Sequence, residues 1–194
     1  MANKKTRAVS REEFELIIST IKQGFISATE ERVKSNIRIA TALTLQANLG
    51  LRIGDIVKLK LSDIIYESGR YHLDIIEEKT KKKRTFTVPN EVYTYLQGYA
   101  LEMGIKPKAR LFNLTVRAVQ SHLKLTCDYL GITGVSTHSM RKFFAMSIYR
   151  ENGCDVELVR ALLNHSSVAV TQHYLSVDTK QVEQALSKHI VLPA

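Results

Sequence analysis

The sequence predicts a mainly α fold of the α+β class, with helices around one small three-stranded antiparallel sheet. Three observations predict it. Apolar residues recur at helical spacing through most of the chain, residues 61–88 alone alternate with the period of strands, and Pro89 closes that stretch before helical spacing resumes. At 194 residues the chain can bury a core of its own as one domain.

Residues 1–9 are polar and carry Lys4, Lys5 and Arg7, which reads as a basic flexible tail. Ser10 and Glu13 have the spacing of a capping box and start a helix that runs to about residue 22. Residues 28–48 read as a longer helix, with Val33, Ile37, Ala40, Leu43, Leu45 and Ala47 as a broad apolar face. Gly50 suits a left-handed C-terminal cap. The phrase LGLRIGDI then restarts the helix with Arg52 at its N-terminus, where backbone N–H groups favour an anion.

Three strand-like runs follow, at residues 64–66, 71–76 and 84–88, with Glu67, Ser68 and Gly69 as the first turn. The second turn holds Lys79, Thr80, Lys81, Lys82 and Lys83, and Arg84 follows directly. A hairpin tip this basic is suited to a DNA groove. Helices are expected at residues 90–103, 115–130, 136–151, 155–163 and 178–188. On the helix over 136–151, Met140, Phe143, Phe144 and Ile148 face a core, and Arg141 and Ala145 point to the other side. His138 and Arg141 share a face at its start.

Charge narrows the partners. With 28 Lys+Arg against 19 Asp+Glu, the chain carries +9 and favours a polyanion, most simply nucleic acid. No long apolar run supports a membrane anchor, and the basic N-terminus lacks the apolar core of a signal. Cys127 and Cys154 read as buried thiols in a reducing cytosol. The expected location is therefore the cytoplasm, in contact with the nucleoid of a bacterium.

The chemistry concentrates in two phrases, THSMRKFFA and VRALLNHSSVAVTQHYL. With Arg52 and a hairpin lysine they supply His138, Arg141, His165 and Tyr174, the inventory for transesterification of a phosphodiester. Two guanidiniums can fork onto non-bridging oxygens and stabilise a crowded, charged transition state. Histidines can relay protons near neutrality. A tyrosine hydroxyl can attack phosphorus and form a covalent intermediate.

These phrases resemble the catalytic domain of the tyrosine recombinase/integrase family. LGLRIGDI resembles the family's first arginine phrase and assigns Arg52. HSMR matches its His-x-x-Arg box and assigns His138 and Arg141. LLNHSSVAVTQHY matches its second box and assigns His165 and Tyr174. EEKTKKKR is similar in place to the hairpin lysine, assigned here to Lys79. The resemblance runs from residue 10 to residue 188, with the motifs in the family's order. Asn164 stands where glycine is usual and tolerates a left-handed turn; Met140 replaces leucine at constant volume. The family's common N-terminal DNA-clamping domain has no counterpart. The chain thus resembles either a catalytic fragment of a longer integrase or the compact fimbrial phase-variation invertases.

The resemblance implies a catalytic domain over 10–188 and an apolar C-terminal tail over 189–194, which either docks on a neighbouring protomer of a synaptic tetramer, as in related enzymes, or packs on its own domain. Tyr174 would form a 3′-phosphotyrosyl bond with double-stranded DNA and free a 5′-hydroxyl. A second strand would reverse the step through a Holliday junction. Arg52 and Arg141 would bind the phosphate with His138 and His165, Lys79 would protonate the leaving oxygen, and Asp55 would either orient Arg52 or serve as an ordinary helix N-terminal acid. Lys81, Lys82, Lys83 and Arg84 would hold DNA, with accessory DNA-bending proteins as possible partners. No cofactor, ATP or metal is implied. Two other readings keep part of this: a type IB topoisomerase, which rejoins the original ends, and a DNA-binding relic without catalysis. A zinc site of His138, His165 and His173 lacks ligand-like spacing.

Overall fold

The computed structural model describes residues 6–27 and 29–175, with the backbone alone at His173. Helix α1 (Arg11–Gln23) starts at a complete capping box, Ser10 and Glu13 each accepting from the other's amide. Residues 6–9 are not loose, contrary to the expected tail. The Arg7 amide donates to the Gly134 carbonyl at 3.0 Å, its guanidinium forks onto Glu13, and Val9 is buried. Glu13 thus neutralises the one basic residue of that segment that is described.

Gly24, at φ +76°, ends α1 and turns the chain into a short hairpin of β1 (Phe25–Ile26) and β2 (Arg32–Val33). This corrects the long helix expected from residue 28. A Cβ at Gly24 would lie 2.7 Å from the Val33 carbonyl oxygen, so the hairpin crosses back close over the helix end. Val33 stands at helical spacing from Ile37 but belongs to a strand. Helix α2 (Ile37–Leu49) begins only where Asn36 caps the Ile39 amide.

Helix α2 ends at Gly50 in the left-handed conformation (φ 59°, ψ 21°). A Cβ there would come within 2.4 Å of Phe144 Cδ1. Gly50→Ala should therefore lower unfolding stability by about 2–4 kcal/mol, from left-handed strain plus overpacking. Gly69→Ala, also at positive φ (79°) but with no neighbour within 4 Å, should cost only about 1 kcal/mol. Urea midpoints of the two variants check the difference; equal losses would mean that the Phe144 contact contributes nothing.

The four-residue helix α3 (Ile53–Ile56) follows, with Arg52 as its N-cap residue, and a 3₁₀ turn (Leu61–Asp63) leads into the sheet. Strands β3 (Ile64–Glu67), β4 (Arg70–Ile76) and β5 (Lys83–Val88) pair antiparallel in sequence order. Ser68 and Gly69 form the first turn, both at positive φ, the geometry that matches strand twist in a two-residue hairpin. Residues 77–82 form the second connection. Its register pairs Ile75 with Arg84, and the pleat puts Arg84, Phe86 and Val88 on one face.

Helices α4 (Asn90–Glu102), α5 (Val116–Tyr129), α6 (Thr137–Glu151), α7 (Val156–Leu163) and α8 (Val168–Tyr174) complete the described chain. A large core joins α1, α2, the sheet, α4 and α5, while Phe144, Ala145, Val159, Leu163 and Leu175 form a smaller one. Helix α6 belongs to both, since Met140 packs in the first and Phe144 in the second. Arg141 and Ala145 are also buried, which corrects the expectation that they face away from a core. Helices α7 and α8 cover that side. Cys127 is buried as expected, but Cys154 is exposed, in the turn between α6 and α7 at φ 63°. The helix expected at 178–188 and the tail at 189–194 lie outside the described residues. No helix among the described residues is long and apolar enough to cross a membrane.

Candidate active site

The site forms where the C-termini of α2 and α7 approach the start of α6. Helix C-termini leave carbonyls without intrahelical partners and carry partial negative charge, so they attract cations. Arg141 is 1% exposed and donates to the Gly50 carbonyl and, at 2.8 Å, to the Leu163 carbonyl. Arg84 is 4% exposed and donates to the carbonyls of Leu49 (3.1 Å) and Leu162. Two arginines thus tie two helix ends together. Asn164, left-handed at φ 54° and ψ 40°, caps α7 and delivers His165 to this junction.

His165 is buried, and its ring connects two elements. Arg141 Nη2 lies 3.3 Å from Nε2, and Thr171 Oγ1 lies 3.1 Å from Nδ1. Arginine can only donate, so Nε2 accepts and the proton of the neutral ring sits on Nδ1, facing Thr171. Thr171 in turn donates to the Ser167 carbonyl at 3.4 Å. Burial, and then the charge of Arg141, push the His165 pKa down to about 4. His165 is therefore neutral at pH 7.

That shift has a stability consequence of definite sign. The unfolded state takes up the proton near pH 6.5 and the native state only near 4, so the unfolded state binds more protons between them. Stability should fall as pH drops through that window, by on the order of 2–3 kcal/mol for this residue. His122 and His138, both lowered first by burial, act in the same sense, and Asp55, raised by burial, acts against them. The urea midpoint should be lower at pH 5 than at pH 7, and His165→Gln should shrink that difference. An unchanged difference would remove His165 as its main source.

Helix α8, capped by Ser167, brings Tyr174 to the same place, half-buried. Its ring meets the His165 ring edge-on at 4.9 Å between centroids, and its phenol lies against the Arg141 guanidinium. Lys142 Nζ stands 5.8 Å from the Tyr174 ring centroid. A cleft of about 910 Å³ borders Tyr174 beside residues 7–12 and α6, yet it includes none of the other candidate residues. That cleft therefore does not enclose the polar groups of the site.

Arg52 stands above the buried arginines with its side chain 22% exposed. Its Nη1 donates at 2.6 Å to Glu77, whose carboxylate is fully buried and also accepts from Thr80 (2.7 Å) and Arg84 (3.3 Å). Burial alone would raise the Glu77 pKa, but the Thr80 and Arg52 hydrogen bonds prevail and lower it. Among the described residues the Asp55 carboxylate makes no hydrogen bond to the Arg52 guanidinium; it accepts the Glu78 amide at 2.8 Å, while the Asp55 amide donates to the Arg52 carbonyl at 2.9 Å. Burial, followed by the Arg141 charge, lowers the Arg84 pKa to about 10, leaving it charged at pH 7.

His138 is exposed at the start of α6. Partial desolvation, and then Arg141, Lys79 and Arg52, lower its pKa, so it too is neutral at pH 7. Lys79 is exposed on the β4–β5 loop, near enough for its charge to act on that ring. Lys81, Lys82 and Lys83 are exposed beside it, and Lys83 pairs with Asp74 at 3.2 Å. Arg84 corrects the expectation of a DNA-facing residue, because its guanidinium is spent on buried carbonyls and Glu77. Glu77 escaped sequence reasoning. The available signal was strand alternation, since Tyr71, Leu73, Ile75 and Glu77 fall on one face, as Arg84 does with Phe86 and Val88.

The fold is that of tyrosine recombinase catalytic domains. A profile described as the phage integrase family matches residues 7–181, and the chain belongs to that family. It is 30% identical over 158 residues to tyrosine recombinase XerC of Caldanaerobacter subterraneus subsp. tengcongensis, covering 76% of this chain and 43% of that protein. To tyrosine recombinase XerA of Pyrococcus furiosus it is 30% identical over 181 residues, covering 84% of this chain and 61% of that one. The chain thus spans about half the length of these relatives. The crystal structure of XerH site-specific recombinase bound to difH substrate superimposes with a TM-score of 0.67 at 22% identity, over 96% of this chain and 55% of that one. That likeness establishes the shared fold.

Proposed function

We propose that the chain is the catalytic domain of a site-specific DNA recombinase that cuts and rejoins DNA through a 3′-phosphotyrosyl intermediate. One observation carries the reading: Arg141, a neutral His165 and Tyr174 are in mutual contact, and Glu77 holds Arg52 beside them. Tyr174 Oη attacks the scissile phosphorus as the bond to the 5′ oxygen breaks. His165, whose Nε2 lone pair is engaged by Arg141, packs against the phenol and holds Arg141 in place, and the phenolic proton leaves to solvent. Arg52 and Arg141 bind the non-bridging oxygens and stabilise their growing charge, with His138 at the exposed edge. Lys79 gives its proton to the departing 5′ oxygen. The protein–DNA bond retains the phosphodiester energy, so a second strand's 5′-hydroxyl can reverse the step through a Holliday junction.

The partner in this reading is double-stranded DNA, attracted by the +9 charge and gripped by Lys81, Lys82 and Lys83. A homotetramer assembles on paired sites, with accessory DNA-bending proteins where the sites require them, in the cytoplasm at the nucleoid. The relative XerH, described as a site-specific recombinase bound to its difH substrate, supports the DNA assignment. Strand exchange tests the function. Duplexes captured covalently from a random-sequence pool, carrying two different labels, should yield hybrid duplexes joining both. Rejoining of original ends alone would mark a topoisomerase instead.

A further inference from the structure

Glu77 follows the last residue of β4 and has no exposed surface, yet three donors converge on its carboxylate. Oε2 accepts from Arg52 Nη1 at 2.6 Å and from Thr80 Oγ1 at 2.7 Å, and Oε1 accepts from Arg84 at 3.3 Å. Its backbone closes the same loop: its amide donates to the Lys82 carbonyl and its carbonyl accepts from the Lys81 amide, both at 2.9 Å. Lys79 lies inside this loop, one residue before Thr80.

Only Nη1 of Arg52 is engaged by Glu77, and its other nitrogens have no partner among the described residues. Those nitrogens remain available to an incoming phosphate while the carboxylate stays bound beneath. A buried carboxylate facing two guanidiniums is strongly held, because losing either partner would leave a charge uncompensated. The oxygen that fixes Arg52 is thus also the oxygen that tethers the loop of Lys79.

We infer that Glu77 and Thr80 are positioning residues that couple the phosphate-binding arginine to the leaving-group acid. Glu77 aims Arg52, and the Thr80 hydroxyl locks the Lys79 loop onto that same oxygen. The coupling rests on the proposed roles of Arg52 and Lys79. It assigns separable parts to the two residues: Thr80 serves the acid alone, while Glu77 serves both the acid and the arginine.

Thr80→Val keeps the shape and removes the tether. Single-turnover cleavage of the captured duplex should slow about 10- to 100-fold, as expected for a displaced reacting group, with binding unchanged. Replacing the bridging 5′ oxygen by sulfur should restore most of that rate, because a thiolate leaves without a proton. Glu77→Gln should slow both substrates, with sulfur restoring only part. In free protein, Thr80→Val should speed hydrogen exchange at the Lys81 and Lys82 amides.

Native cleavage by Thr80→Val, equal slowing on oxygen and sulfur substrates, or unchanged exchange would overturn the coupling. Lys79→Ala separates this from the underlying reading. If sulfur rescues Thr80→Val but not Lys79→Ala, the tether stands and the acid is another residue of the loop. If no duplex is ever captured, the recombinase reading fails, and amide exchange still decides the tether.

Discussion

Tyr174→Phe should leave DNA bound and wholly uncut. The substitution removes one oxygen and preserves the ring that meets His165, so stability should change by no more than about 0.5 kcal/mol. Affinity should stay within about twofold, since the phosphate contacts that dominate binding come from other residues. Covalent adduct, read as protein–DNA species that survive denaturation in detergent, should disappear completely. Among the described residues no other hydroxyl stands against Arg141, so partial loss is not expected. An adduct that persists in this variant would move the nucleophile elsewhere.

Arg141→Lys should be nearly as damaging to cleavage and far more damaging to the fold. Arg141 spans the Gly50 carbonyl, the Leu163 carbonyl and His165 Nε2 with a planar fork. An ammonium gathers its donors on one atom and cannot reach both helix ends, so at least one buried carbonyl loses its partner. The expected loss is about 2–4 kcal/mol of stability, with cleavage reduced about a thousandfold through lost transition-state contacts. Arg52→Lys should slow cleavage comparably at a smaller stability cost, because the Arg52 side chain reaches solvent and, among the described residues, hydrogen-bonds only Glu77. Urea midpoints and single-turnover rates on the captured duplex check both. Native stability in Arg141→Lys would mean that the helix ends are held together without it.

These contrasts explain how much could be read in advance. The capping box at Ser10, the turn at Ser68 and Gly69, the cap at Gly50 and the left-handed Asn164 were all legible, because each depends on local chemistry. So were Arg52, Arg141, His165 and Tyr174 as candidates, since they stand in recognisable phrases. Residues 29–36 were misread because Val33 happens to fit helical spacing, while the packing that makes them part of a hairpin and its exit is tertiary. Arg84 was misread, and Glu77 missed, for the opposite reason. Charged residues flanking a lysine-rich turn look solvated one at a time, and only their pairing with each other and with helix-end carbonyls makes burial tolerable. Asp55 shows the same limit: one turn from Arg52 in sequence, it serves the Glu78 amide instead.

The most direct measurement is the chemical identity of the bond to DNA. Native protein incubated with a nicked duplex recovered by covalent capture should form an adduct that can be digested and sequenced by mass spectrometry. The account predicts a nucleotide mass on the peptide containing Tyr174, linked through the 3′ phosphate, with a free 5′-hydroxyl on the released strand. A linkage through a 5′ phosphate, an adduct on any other residue, or cleavage with no adduct would contradict it.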